Sequence, residues 1–539
     1  MKVRIFIAVA MLLFEVTLFA QTKNKAITNP GVNDFSGTLS FLSSDWMEGR
    51  ETGTRGGYMA ADYIASMMQL FQLEPVTRHT KLITDRNIQP GYFQDFEVLR
   101  YKVEKANLQI VKLTETNHSA FQLSQGVDFE VKSGPNGVEA EAPLIFAGYG
   151  ISAADKGYDD FNGLNVKGKI EVVLAGLPGQ SDTTSIAWKK LSRLLPDDAG
   201  SIENKLQTAI QHQATALIVI SPDGSLEPYQ DSQINTDISN HTMASTKTAE
   251  PRYHDFDYCL PGDSAIPVIP CFILGSYATK KLFEGTGIDL ADFEKNAACM
   301  ANPKPKAIKD KLLEFSVSVK SESLCVRNVI GEIKGTDQTK CIVVGAHYDH
   351  LGMRNGLIYN GSDDNASGSS GMLALAKVWA ESSVQLPCNI IFASWTGEEK
   401  GLLGSQYFAQ QLDEKFGNIL LYVNMDMISR SASEDTARRI LSIGTRTIDE
   451  QLRTMAKKIN STLARPFVLD LWDVTGHTGS DYASFTTRNI PVMTFFSGFH
   501  DDYHTTRDIA PRADLKKMGD ILNVVNNCLQ DYLDTTIVN

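Results

Sequence analysis

The residues best suited to chemistry in this chain are histidines and carboxylates that follow apolar runs in its C-terminal half. His347 and Asp349 stand in KCIVVGAHYDH, Glu398 and Glu399 in NIIFASWTGEE, Asp426 in LLYVNMDM and His504 in PVMTFFSGFHDDYH, while Asp364 lies in NGSDDNASG. Imidazole nitrogen and carboxylate oxygen are the ligands zinc takes where thiolates are absent, and a catalytic site leaves one position open for water. Two histidines and three acids, His347, Asp364, Glu399, Asp426 and His504, suit two ions. Ions paired about 3.5–4 Å apart share a bridging carboxylate, and we assign that role to Asp364.

The doublet Glu398–Glu399 adds a second function. On a loop leaving a strand, adjacent side chains point in different directions, so Glu399 can bind metal while Glu398 stays free to take a proton from the attacking water and pass it to a leaving amine. Asp349 lies two residues after His347 on a strand-like exit, hence on the same face, where it can accept the second ring N–H of that histidine. A single histidine or acid is more often a solvated or structural group. Five ligand-type residues at one edge of a sheet, with a spare glutamate beside one of them, argue for a site. His350, His477 and His500 read as supporting or surface groups.

The elements that must position these residues follow from the apolar periodicity. Short apolar runs at 329–333, 341–344, 389–394, 419–423 and 492–496 alternate with helical patterns, as after Asp364, where Met372, Leu375, Ala376 and Trp379 share a face. The expected fold class is α/β: a mixed, largely parallel central sheet with helices on both faces. In such sheets ligands bind beyond the carboxyl ends of the strands, the edge to which these motifs point.

With 539 residues, 42% hydrophobic and 21% charged, the chain is long enough for more than one globular domain. Residues 1–20 have the layout of a secretory signal peptide: Lys2 and Arg4, an apolar stretch interrupted by Glu15, then Ala20 before Gln21. Export to a periplasm or the exterior is therefore expected, with no membrane span once the signal is removed. Residues 21–105 read as the N-terminal part of the catalytic domain, 106–305 as a β-rich insertion and 306–539 as the catalytic domain itself. The net charge of −13, without a basic run, argues against a nucleic-acid partner. Seven cysteines without a CxxC pair give no support to a thiolate zinc site, and Cys341 and Cys388 read as buried apolar residues.

Taken in order, GAHYDHLG, NGSDDNASG, TGEEKGLLGS, VNMDM and DDYHTTRD resemble the co-catalytic di-zinc aminopeptidase family, which also includes glutamate carboxypeptidase and the transferrin receptor. The resemblance covers residues 306–539. GYGI, YDDFNGLNVKGKIEVV, ALIVIS and IPVI in the insertion resemble a protease-associated domain, to which we assign a part in gating or substrate positioning. The resemblance implies two Zn2+ per chain, with His347 paired to Asp426, Glu399 to His504 and Asp364 bridging; Asp363 takes that place if the register slips by one. It further implies that Glu398 is the proton shuttle, that Asp349 orients His347, that the peptide bond after Asp364 is cis and that Ser480 and Asp481 support the ligands. Tyr503 resembles a residue that donates a hydrogen bond to the tetrahedral intermediate in some members, or else is a packed aromatic.

The activity so implied is hydrolysis of N-terminal residues from peptide substrates. A carboxypeptidase or dipeptidase of the same fold is the alternative within the class, and a non-catalytic receptor-like binding protein is the alternative outside it. The latter should have lost ligands or the glutamate base, and all six residues are present. Single-zinc aminoacyl cyclisation would not require the full ligand set. Residue preference and oligomeric state have no sequence signature.

Overall fold

The computed structural model describes residues 26–76, 91–113, 118–195, 199–221, 256–263, 269–301, 306–412 and 416–537. The signal sequence expected at 1–20, and most of the polar stretch at 222–263, lie outside the described residues. The chain divides into two compact units, one formed by residues up to 98 and from 324 onward, the other by residues 99–323, apart from a few residues outside the described set. The strand Phe93–Leu113 runs through the expected boundary 105/106 and the division at 98/99, and Lys306–Ile333 begins at 306 and runs through the division at 323/324.

The first unit opens with helices α1 (Val32–Leu42) and α2 (Arg55–Leu70), the latter capped by Thr54, whose hydroxyl accepts the Gly57 amide. Its sheet is built from β1 (Lys306–Ile333, through its last residues), β2 (Asp337–His347), β3 (Cys388–Trp395), β4 (Asn418–Met425), β5 (Ile440–Thr445), β6 (Val468–Asp473) and β7 (Val492–Phe496). The spatial order is β6–β5–β7–β4–β2–β3–β1. The central pairs β3–β2, β2–β4 and β4–β7 are parallel, as is β5–β6, while β1 joins β3 and β5 joins β7 antiparallel. All five strands expected from sequence are present, and the sheet has two more, β5 and β6.

Alternation along the strands feeds two cores. Ile342, Val344, Ile390 and Phe392 pack with α1, α2, α3 (Gly368–Ala380) and the C-terminal helix α4 (Leu515–Tyr532), whereas Cys341, Val343, Ile391 and Trp395 pack with Phe408, Tyr422 and Phe485 on the opposite face. Helix α3 is buried almost all round, with only Lys377 and Ala380 less than fully covered. Its N-terminal half, GSSG, is small enough for neighbours to approach: a Cβ on Gly371 would lie 2.8 Å from Leu522 Cδ2. A parallel sheet covered on both faces explains why its strands are near-continuous apolar runs.

In the second unit, Val138–Phe146 pairs antiparallel with residues 306–317 and parallel with Ile170–Leu174; then follow Ala216–Ile220 and Cys271–Leu274, each parallel to the strand before it. Helices Ile186–Leu194, Ile202–Gln211, Ser276–Phe283 and Leu290–Ala298 belong to this unit. All seven cysteines are free, and Cys341 and Cys388 are buried. Among the described residues no helix is long and apolar enough to cross a membrane.

Candidate metal centre

The carboxyl ends of β2, β3 and β4 bring His347, Glu398, Glu399 and Asp426 to one edge of the sheet, and the loops before α3 and after β7 add Asp364 and His504. Two groups form there: His347 with Glu398 and Asp426, and His504 with Glu399, Asp364 and His350. Asp364 faces both. Its Oδ1 is 3.5 Å from His347 Nε2 and its Oδ2 is 2.6 Å from His504 Nε2. His347 Nε2 is also 3.4 Å from Asp426 Oδ1, and His504 Nε2 is 3.2 Å from Glu399 Oε1.

The donor set fits divalent cations. Asp364 Oδ2 and His504 Nε2 are buried and close, yet neither has a hydrogen-bond partner, as expected of lone pairs that converge on a third point. Four carboxylates and three imidazoles crowd the two groups. Burial, with Glu399 nearby, pushes Asp364 up to about 7, and burial with Asp426, Asp481 and Glu399 nearby holds Glu398 well above the usual carboxylate range. Burial would raise Glu399 as well, but His504 and His350 beside it bring it well below that range. Burial opposes protonation of His347, but Glu398, Asp426 and Asp364 outweigh it and carry the ring above its ordinary value. Two cations among these groups would supply the missing positive charge and keep the carboxylates ionised. Exposure falls on one side: the Glu398 and Asp426 side chains are 13% and 15% exposed against 1% for His347, so water reaches the centre past those two acids.

Supporting contacts fix each ligand. His347 Nδ1 lies 3.2 Å from the main-chain carbonyl of Asp349 and 3.8 Å from its carboxylate, so the carbonyl is the nearer acceptor for the ring proton and leaves Nε2 free. The Asp349 carboxylate instead accepts from Thr52 Oγ1 (2.9 Å) and the Glu398 amide (3.2 Å). A buried chain orients Asp426: Trp395 Nε1 donates to Tyr422 Oη, which donates to Asn424 Oδ1; Asn424 Nδ2 donates to Ser480 Oγ, and Ser480 donates to Asp426 Oδ2 at 2.7 Å. Asp481 is fully buried beside this chain, and that burial pushes it up to about 7.

The Asp363–Asp364 turn is held from the opposite direction. Asp508 accepts the amides of Asp363 (3.0 Å) and Asp364 (3.1 Å). Asp363 turns away from the centre to accept from the Ser429 amide and hydroxyl, both at 2.7 Å, with His500 Nε2 at 3.4 Å. Asp364, and not Asp363, therefore lies between the two histidines. The peptide bond between Asp364 and Asn365 is cis. Gly361 precedes this turn at φ 54°, where a Cβ would lie 2.1 Å from the Asp364 carbonyl oxygen.

The other histidines separate clearly. His350, read from sequence as a supporting or surface group, is fully buried in the second group, with Nδ1 2.8 Å from Glu399 Oε1 and 3.6 Å from Asp364 Oδ2. His477 packs edge-on to Trp472. Tyr503 stacks on the His504 ring with centroids 3.7 Å apart. Arg50 lies in none of the sequence motifs and Asp508 is the last residue of DDYHTTRD; both act on backbone groups, which leaves no spacing that marks their role.

Residues 328–529 match the family model described as Peptidase family M28. Over 180 residues the chain is 35% identical to leucine aminopeptidase 2 of Trichophyton rubrum and to a probable leucine aminopeptidase 2 of Trichophyton verrucosum, covering 32% of this chain and 33% of each relative. The chain therefore matches about a third of the length of these curated relatives. Among solved structures, an aminopeptidase from Aneurinibacillus sp. strain AM-1 covers 93% of this chain and 94% of its own, with a TM-score of 0.52 at 18% identity, a likeness of fold. Every side chain of the two metal-binding groups lies inside the segment that matches this family model.

Proposed function

We propose that this protein is an exported two-zinc exopeptidase that removes N-terminal residues from peptides. The observation that carries the reading is the placement of Asp364, with one carboxylate oxygen toward His347 and the other toward His504. That is the geometry a bridge between two ions requires. When bound, the ion pair would polarise the scissile carbonyl and lower the pKa of the attacking water.

The chain's own residues do the remainder. Asp364 would serve both ions, with His347 and Asp426 holding one and Glu399 and His504 the other. Glu398 Oε2 is 4.0 Å from His347 Nε2 on the more open side of the centre, where it can take a proton from water and deliver it to the departing amine. Asp349 supports both His347 and the Glu398 loop, and Tyr503 is assigned a hydrogen bond to the tetrahedral intermediate. The names of the relatives, leucine aminopeptidases, support an aminopeptidase that accepts an N-terminal leucine. The aromatic series Phe496, Phe499, Tyr503 running to His504 would supply an apolar wall. The basic start and apolar run of residues 1–20 support export, and the strand texture of residues 106–305 supports a protease-associated insertion that positions substrate.

The test is a substrate panel run on protein of measured zinc content. Cleavage of aminoacyl amides with a free α-amine, at about two zinc per chain, is expected. Activity confined to blocked-amine or C-terminally free substrates would replace the aminopeptidase by a carboxypeptidase or dipeptidase. No turnover with two zinc bound would favour a binding protein.

A further inference from the structure

We propose that three consecutive residues, Arg50, Glu51 and Thr52, are positioning residues that hold the loops of the metal centre in register, although they lie far outside the segment that matches the family. The proposal rests on the two-ion reading above and adds a part that the reading does not contain.

Between them the three grip several loops. Arg50 is fully buried, and its guanidinium donates to the carbonyls of Tyr348 (2.7 Å), Asn360 (2.6 Å) and Gly361 (2.8 Å), the backbone that flanks His347 and leads into the Asp364 turn. Glu51 binds Arg354 through both oxygens, at 2.6 and 2.8 Å, and Lys400 at 3.1 Å. Lys400 directly follows Glu399, so Glu51 ties the 352–359 hairpin to the loop that carries both catalytic-site glutamates. Thr52 donates to Asp349 Oδ2 at 2.9 Å, and the other oxygen of that carboxylate takes the Glu398 amide. One short stretch therefore fixes the exits of β2 and β3 and the start of the bridging turn relative to one another.

Two further observations argue that this is more than packing. Arg50 is a buried cation whose hydrogen-bond partners include no carboxylate; the charges that favour its ionised form are Asp364, Asp508, Asp349 and Glu399, all within or beside the centre. In addition, Glu48, Gly49 and Arg50 all have left-handed φ angles (50°, 70° and 53°), and a Cβ on Gly49 would sit 2.3 Å from the Gly352 carbonyl oxygen. Successive left-handed residues persist only where the surroundings over-determine them, and such strain concentrates at functional sites. A core that needed only filling would be satisfied by apolar side chains without either feature.

The test uses the full chain, stripped with a chelator and titrated with Zn2+, with kcat and KM measured on a leucyl chromogenic amide. Thr52→Val keeps the side-chain shape and removes the donor to Asp349. We expect zinc affinity or kcat to fall roughly 10- to 100-fold, with KM and the melting temperature of the stripped protein little changed and with recovery in Thr52→Ser. Glu51→Gln, which removes the charge that binds Arg354 and Lys400, should move the same readouts and serves if the valine variant does not fold. Wild-type zinc affinity and kcat in both variants, with wild-type protein binding two ions, would overturn this proposal alone. Wild-type protein that takes up no zinc would overturn the two-ion reading, and this proposal with it.

Discussion

His350 Nδ1 lies 2.8 Å from Glu399 Oε1, nearer than the 3.2 Å between the same oxygen and His504 Nε2. Burial draws the His350 ring down to about 3, against the pull of Glu399, so the ring is neutral at physiological pH and its Nδ1 proton is available to the carboxylate. Removing that donor in His350→Ala should loosen Glu399 and weaken zinc at the His504 side by roughly 10- to 100-fold. Zinc titration of the stripped variant checks this. An unchanged second affinity would make His350 a bystander.

Glu398→Gln keeps the size of the side chain and removes its basicity. Turnover should fall by roughly 10²–10⁴-fold, the range for loss of a general base, with two zinc still bound. If zinc content dropped instead, Glu398 would be a ligand and the roles of the two adjacent glutamates would exchange.

Asp508→Asn leaves at most one neutral acceptor where a carboxylate takes the amides of Asp363 and Asp364. Hydrogen bonds to charged groups contribute about 1.5–3 kcal/mol each, so a stability loss of roughly that size is expected from denaturant unfolding. Zinc binding should weaken alongside it, because the bridging turn is what Asp508 holds. A stable variant with normal zinc affinity would mean that the turn holds itself.

Asp481 offers a pH test. Burial pushes it up to about 7, and an unfolded carboxylate titrates near 4. As pH rises between those values the unfolded chain releases the proton first, the folded state keeps it, and stability from this group is lost across the window. In stripped protein, the melting temperature of Asp481→Asn relative to wild type should therefore climb from pH 4.5 to 7.5. A flat difference would show that the carboxylate is already ionised in the fold.

Phe499 is 61% exposed, with its ring 4.8 Å from Phe496 and 4.9 Å from Tyr503. If this series forms the apolar wall, Phe499→Ala should lower kcat/KM for a leucyl substrate relative to an alanyl one by roughly tenfold. Equal losses on both substrates would remove Phe499 from selection.

The sequence shows this centre unevenly, for physical reasons. His347, Glu398, Glu399 and Asp426 stand where apolar strands end, and strand alternation together with the parallel sheet brings such ends to one edge. His350 is harder to place because it lies three residues past the end of β2, where the chain turns and period-two alternation no longer says which way a side chain points. The work of Arg50 and Asp508 is done on carbonyl and amide groups, which every residue has, so nothing in their own spacing records it. The edge strand β6 lacks a continuous apolar run, Val468–Asp473 being exposed or half-buried throughout, while β5 is buried but broken by Ser442 and Gly444. The helix α3 is legible as amphipathic, and its burial on nearly every side becomes visible only with α1, α2 and α4 around it.

The partners of Arg50 lie 298 to 311 residues further along the chain, apart from its bond to Leu42. Contacts so distant in sequence are entropically expensive to close and form late. The anchor is synthesised early, whereas the carboxylates that favour its buried cation, Asp349, Asp364, Glu399 and Asp508, all lie in the C-terminal half of the chain. If the exported chain proposed above crosses a membrane unfolded, its ion site would assemble only at its destination and would draw on the metal found there.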